Sequence, residues 1–104
     1  MFKGTTPSLV LTFDENLDFD FSDARSVVVT FSTDYRKVIL EKADEELTID
    51  ENTITIEFTQ EETLSFTAGK MLVQVNAIFD DGTRICSDIQ KITWEDNLKN
   101  EVMV

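Results

Sequence analysis

A hairpin near the C-terminal end is the feature that most constrains what this chain can fold into. Residues 70–79 and 84–89 form two β-prone runs, and an Asp-Asp-Gly-Thr turn at 80–83 joins them. An Asp-Gly pair between two such runs is the strongest short-range hairpin signal, because a type I′ turn requires positive φ at both central residues. We therefore predict an antiparallel hairpin with a type I′ turn here.

Short alternating runs elsewhere predict further strands. Val27, Val29 and Phe31 fall on one face of the run 26–32, as expected for a strand with one buried side. Seven or eight short strands separated by turns favour an all-β fold, an immunoglobulin-like antiparallel β-sandwich. The other predicted strands cover 8–13, 17–21, 37–42, 47–49, 53–58 and the segment around 89–94.

Two places break the alternation. Thr59 and Glu62 have the spacing of a capping box, which predicts one short helical turn near 59–65. In the last strand the apolar positions slip between Ile89 and Ile92, which predicts a β-bulge at Gln90–Lys91.

Length and chain-end composition predict the domain organisation. A chain of 104 residues is the size of one domain and can bury about two-thirds of its unfolded surface. We predict a β-sandwich domain over 1–94 and a C-terminal tail over 95–104. Leu98 and Val102 would share a helical stripe, but ten residues are too few for a stable lone helix. The apolar tail is therefore expected to fold back, fray or dock on another chain.

The charge balance narrows the possible partners. The chain has 21 acidic and nine basic residues and a net charge of −12. Such a field repels phosphate backbones and anionic lipids, so we expect neither nucleic acid nor membrane as a partner. The N-terminus has no apolar core of a signal peptide, and we expect a protein made in the cytoplasm without one.

The residue inventory argues against catalysis. There is no histidine and no glycine-rich phosphate loop, which removes histidine-based triads and most zinc-enzyme arrangements. The single cysteine, Cys86, has no histidine to activate it, and we expect an inert core residue there. We therefore predict a non-enzymatic protein without a cofactor.

Two binding alternatives stay open. Asp14, Glu15, Asp18 and the Asp80–Asp81 pair lie in predicted loops that could gather oxygen ligands for calcium, although the Asp-x-Asp-x-Asp-Gly pattern is absent. Alternatively, Tyr35 or Trp94 could form a stacking platform for a carbohydrate, although a single Trp at the end of the last strand more often caps the core.

The chain ends supply the candidate contact residues for protein partners. They carry apolar side chains that the predicted sandwich does not obviously use, and exposed apolar groups mark interaction sites. A closed homo-oligomer would also bury them. The candidates are Met1, Phe2, Leu98, Val102, Met103 and Val104.

Several short motifs, in order along nearly the whole chain, carry a resemblance. They are the opening residues 1–7, the block 59–64, Asp81-Gly82-Thr83, Ser87-Asp88-Ile89 and the segment 97–102. In these the chain resembles small prophage-encoded proteins of Gram-positive bacteria and is similar in style to the N-terminal domains of phage baseplate upper proteins. The resemblance implies an immunoglobulin-like sandwich that serves as a tail, baseplate or accessory component of a virion. Its partners would be other virion or prophage structural proteins.

Overall fold

Eight β-strands and one short α-helix lie in the part of the chain that the structure describes. This computed structural model describes residues 1–13, 21–33, 37–50, 52–66, 68–99 and 101–103. The helix α1 spans Gln60–Ser65, and single 3-10 turns cover Phe21–Asp23 and Asp44–Glu46. The strands are β1 (Ser8–Thr12), β2 (Ser26–Thr33), β3 (Val38–Ala43), β4 (Leu47–Ile49), β5 (Thr53–Glu57), β6 (Gly69–Ile78), β7 (Arg84–Cys86) and β8 (Gln90–Trp94).

The strands form two antiparallel sheets. The smaller sheet has the order β1-β5-β4, and in the larger sheet β3, β2 and β6 lie side by side. Strands β7 and β8 both pair with the remaining edge of β6, β7 near its C-terminal end and β8 near its N-terminal end. The two sheets share one core, so the predicted all-β sandwich is confirmed. Of the predicted strand at 17–21, residues 17–20 lie outside the described residues, and Phe21 begins a 3-10 turn.

The core consists mainly of the alternating residues that the sequence placed on one face of each strand. Val27, Val29 and Phe31 of β2 are fully buried, and Ile54 and Ile56 of β5 face them from the other sheet. One end of the core is aromatic, since the rings of Phe31, Phe58, Phe66 and Trp94 pack against one another at centroid distances of 5.0–5.8 Å.

The hairpin between β6 and β7 is confirmed, but its turn differs from the prediction. The Gly82 amide donates to the Phe79 carbonyl at 2.9 Å, and the Phe79 amide donates to the Thr83 carbonyl at 2.9 Å. Only Gly82 has a positive φ in this loop, at 88°, whereas Asp81 does not. The predicted type I′ turn is therefore wrong, and the loop has the three-residue form with glycine in the left-handed position.

The break in the last strand lies earlier than predicted. Strand β8 is regular through Gln90 and Lys91, so the predicted bulge at these residues is wrong. The chain leaves β6 at residues 87–89 instead, where the Ser87 hydroxyl accepts the Val75 amide at 3.0 Å. Because a side chain replaces a backbone group in the ladder, the alternation slips at this point.

Cys86 is a third correction. It lies opposite Asn76 in the β6–β7 pair and is exposed, rather than buried in the core as predicted. Strand β7 is only three residues long and places this side chain on the outer face of the sheet, where little chain covers it.

The predicted helical turn is confirmed as α1, with its capping box. The Thr59 hydroxyl accepts the Glu62 amide at 3.1 Å, and the Glu62 carboxylate accepts the Thr59 amide at 2.8 Å. None of the helices in the described ranges is long and apolar enough to cross a membrane.

Candidate functional site

The N-terminal residues extend the edge of the larger sheet at the end of β8. The Met1 ammonium group donates to the Thr93 carbonyl at 3.0 Å, and the Glu95 amide donates to the Met1 carbonyl at 2.7 Å. The Lys3 amide then donates to the Glu95 carbonyl at 2.9 Å, so Phe2 and Glu95 form a parallel bridge. The first three residues are therefore fixed to the body of the protein.

Gly4 is the point where the N-terminal residues, α1 and the tail meet. Its φ is 80°, a conformation that favours glycine. A Cβ atom at this position would lie 3.0 Å from Leu64 Cδ2 and 3.7 Å from the Lys99 carbonyl oxygen. Next along the chain, the Thr5 carbonyl accepts the hydroxyl of the buried Thr63 at 2.8 Å. Glycine thus permits both the turn and the close approach of α1.

An ion pair joins α1 to the far edge of the larger sheet. Lys42 of β3 points into the sandwich, is only 7% exposed, and lies 2.8 Å from a carboxylate oxygen of Glu62. Partial burial opposes ionisation of Glu62. Hydrogen bonds from Lys42 and the Thr59 amide, with the charge of Lys42, outweigh that effect and lower the pKa of Glu62. The ion pair therefore holds α1 in place through a charged carboxylate.

The C-terminal tail is tied to the folded body at two points. The Asn97 amide group donates to the Lys3 carbonyl at 3.2 Å. Further on, the Gln60 side chain of α1 makes two hydrogen bonds with the backbone of Met103, at 2.8 and 3.1 Å. Of the three outcomes expected for the tail, the described residues show folding back, and residues 98–99 and 101–103 contain no helix.

The side chains of the two chain ends stay in solvent even though their backbone is held. Phe2 is 53% exposed and Leu98 is fully exposed. We name this group the terminal surface; its members are Met1, Phe2, Leu98, Val102 and Met103. All five were predicted from the sequence as contact residues, and Val104 lies outside the described residues. The fold therefore brings the backbones of these segments together without burying their apolar side chains.

Two pairs of oppositely charged residues lie beside the terminal surface. Lys3 lies 3.7 Å from Asp96, and Lys99 lies 3.3 Å from Glu101. Such exposed pairs add little stability. They do neutralise charge locally, so this part of a strongly acidic protein combines apolar side chains with a nearly balanced polar rim. That is the usual composition of a protein contact site.

The two aromatic candidates for a carbohydrate platform fare differently. Trp94 is 1% exposed and packs against Phe58 and Phe66 in the core, so no sugar ring can stack on it. Tyr35 lies outside the described residues. The carbohydrate interpretation is wrong for Trp94, and the expected cap on the core is confirmed. Its indole packs against Phe58, just after β5, and Phe66, just after α1.

The calcium alternative gains no support from the described ranges. They hold no group of three or more Asp, Glu, Cys or His side chains placed to hold a metal ion. Asp14, Glu15 and Asp18 lie outside them. The Asp81 carboxylate accepts the Thr83 amide at 2.9 Å, and hydrogen bonds from Thr83 lower its pKa. Asp81 therefore has a structural role within the hairpin loop.

Sequence reasoning missed the residues that fix the terminal surface. Gln60, Lys42 and Gly4 act across long separations in the chain, 43 residues in the case of Gln60 and Met103. A capping-box pattern shows only the local partners of Glu62, and no pattern shows that Lys42 reaches it from a strand 20 residues away.

Comparison with known proteins finds no match for this chain. The chain matches no family model, no curated protein and no solved structure.

Proposed function

We propose that this protein is a non-enzymatic structural protein of a phage or prophage, a tail, baseplate or accessory component of the virion, and that it acts through protein–protein contacts. It would be made in the bacterial cytoplasm and incorporated into the particle there. The motif resemblance supports the virion setting, and the terminal surface supports the mode of action.

The observation that carries the proposal is the position of Leu98. Its side chain is fully exposed, yet the tail around it is fixed by Asn97 on one side and by Met103 on the other. Burial of an exposed apolar side chain by a partner lowers the free energy of the complex. Because the backbone is already ordered, binding would lose little conformational entropy at this point.

A particle component also needs contacts of fixed geometry. The terminal surface lies on segments that are hydrogen-bonded to β8 and α1, so its position relative to the sandwich is set. A partner docking there would therefore hold the whole domain in one orientation, as repeated contacts in a particle require.

Mass spectrometry of particles purified from the organism that encodes the chain tests this proposal. We expect the protein in the particles at a constant ratio to the other virion proteins across independent preparations. Its presence only in the unassembled fraction, with none in the particles, would contradict a role as a virion component.

A further inference from the structure

In the part of the chain that the structure describes, strand β1 has a free edge whose backbone groups point away from β5. The Phe13 amide donates to the Asn52 carbonyl at 2.8 Å, and the Phe58 amide donates to the Pro7 carbonyl at 3.2 Å. Hydrogen-bonded and non-hydrogen-bonded residue pairs alternate along an antiparallel ladder. These two bonds therefore show that the odd-numbered residues of β1 exchange hydrogen bonds with β5. The amides and carbonyls of Ser8, Val10 and Thr12 therefore face the open edge, and they have no partner in the described structure.

This edge also lacks the charges that protect strand edges. Residues 5–13 contain no charged residue, in a chain of which 29% is charged. Val10, at the centre of β1, is 54% exposed on the outer face of the sheet. An uncharged strand with unpaired backbone groups is a template for the addition of another strand.

The other strand edges are protected in recognisable ways. Strand β3 carries a bulge at Ile39 and directs Lys42 inward. Strand β4 has three residues and lies between the acidic residues 45–46 and Asp50. The end of β8 is paired with the N-terminal residues. Bulges, inward charges and short strands all prevent edge-to-edge pairing. Within the described ranges the five-residue strand β1 carries none of these features.

We propose that β1 is a self-association site at which it pairs in antiparallel fashion with β1 of a second copy of this chain. The outward groups are arranged symmetrically about Val10, so a two-fold axis at this residue would place it opposite the partner's Val10 and Ser8 opposite the partner's Thr12. The three residue pairs would exchange about six hydrogen bonds. The two smaller sheets would become one continuous sheet of six strands.

The choice of a second copy rests on symmetry and charge. The same five residues serve both sides of the contact, as an isologous interface requires. Two chains that each carry a charge of −12 repel one another, and the uncharged edge lets them approach where the local repulsion is least. A contact this small is at the weak end of specific interfaces, so the dimer forms only at high protein concentration.

Sedimentation equilibrium of the full chain tests the proposal. We expect the mass to rise from 11.9 kDa toward twice that value with concentration. Added salt should tighten the dimer several-fold, because it screens the repulsion between the two acidic chains. Even a weak interface should form at a protein concentration of about 1 mM in about 0.5 M salt. A wild-type chain that stays monomeric under these conditions would overturn the proposal.

Two variants at one position give the matched comparison. Val10→Pro removes the outward amide but none of the hydrogen bonds with β5, and proline is tolerated at such edge positions. It should abolish the dimer, whereas Val10→Thr, which keeps the amide and the shape, should dimerise as the wild type does. Equal dimerisation of the two variants would contradict pairing through β1.

Hydrogen exchange of the wild-type chain keeps the test decisive if Val10→Pro does not fold. The Val10 amide should exchange more slowly as protein concentration rises. The Ile49 amide is the internal control, since the Asp50–Thr53 hydrogen bond places it on the outer edge of β4. Slowing at Ile49 but not at Val10 would overturn the proposal. The proposed pairing through β1 does not depend on the proposed function. Leu98→Asp, which changes only the terminal surface, should therefore dimerise as the wild type does.

Discussion

The terminal surface and the free edge of β1 are both open to solvent, but they are built in opposite ways. The terminal surface exposes apolar side chains on irregular backbone that is hydrogen-bonded at Met1 to β8 and at Met103 to Gln60. The edge of β1 exposes the backbone of a regular strand held by a continuous ladder with β5. The first should therefore depend on side-chain identity and on α1, and the second on backbone groups alone.

The largest expected effect is the loss of the ion pair that holds α1. Glu62→Ala removes half of the capping box and leaves the buried Lys42 charge without its partner. We expect a loss of about 3 kcal/mol in the free energy of unfolding, measured by urea denaturation. Glu61→Ala removes the same charge from an exposed neighbouring position and should change stability by less than about 0.5 kcal/mol.

The same variant sharpens the comparison between the two surfaces. In native-state hydrogen exchange, Glu62→Ala should speed exchange of the Met103 amide through the loosened α1, more than exchange of amides in the β1–β5 ladder. An equal acceleration in both places would show that the two surfaces do not form separate units.

Acid should remove part of that contribution. The pKa of Glu62 in the folded protein lies below its ordinary value of 4.5. The Glu62 carboxylate therefore binds a proton more readily in the unfolded chain than in the folded protein. Its contribution to the free energy of unfolding is complete above the ordinary pKa and is lost as the pH falls through the lowered pKa of the folded protein. The stability difference between wild type and Glu62→Ala should be constant from neutral pH to about 5 and shrink at lower pH. A difference that grows in acid would contradict the assigned role.

A smaller effect is expected at Gly4. Gly4→Ala places a Cβ on a residue with positive φ and 3.0 Å from Leu64, and should cost about 1.5 kcal/mol. Gly82→Ala is the control, because Gly82 also has a positive φ but a Cβ there meets nothing within 4 Å. Thermal unfolding should show a larger loss for Gly4→Ala, and an equal loss would mean that the contact with Leu64 adds nothing.

The smallest effect on stability should come from Gln60→Ala. This change removes the two hydrogen bonds to Met103 and should lower the free energy of local opening of the tail end by about 1 kcal/mol. Exchange of the Met103 amide should accelerate while the midpoint of global unfolding hardly moves. A cooperative loss of the whole fold would show that the tail is part of the core.

The sequence predicts those parts of the molecule that local pattern determines. Alternation in 26–32 and 53–58 identifies two buried strand faces, and the Thr59–Glu62 spacing identifies a helix cap, because these signals lie within a few residues of one another. Apolarity at the chain ends likewise points to Leu98 and Met103 as exposed candidates.

The remaining features depend on partners far away in the chain. The Met1–Thr93 hydrogen bond spans 92 residues, and Trp94 is buried against Phe58 and Phe66, which lie much earlier in the chain. The turn after β6 is misjudged because an Asp-Gly pair fits both the two-residue and the three-residue hairpin loop. Backbone orientation at the β1 edge also requires the register, which alternation alone does not give.

The central claim is that the terminal surface places this protein in a particle, and competitive incorporation of two variants tests it most directly. Leu98→Asp and Val38→Asp each replace an exposed aliphatic residue by a charge, but Val38 lies on β3, separated from β8 by β2 and β6. Quantitative mass spectrometry of particles should show Leu98→Asp depleted by about ten-fold, which corresponds to roughly 1.4 kcal/mol, with Val38→Asp near the wild-type level. Equal incorporation of both variants would contradict the account.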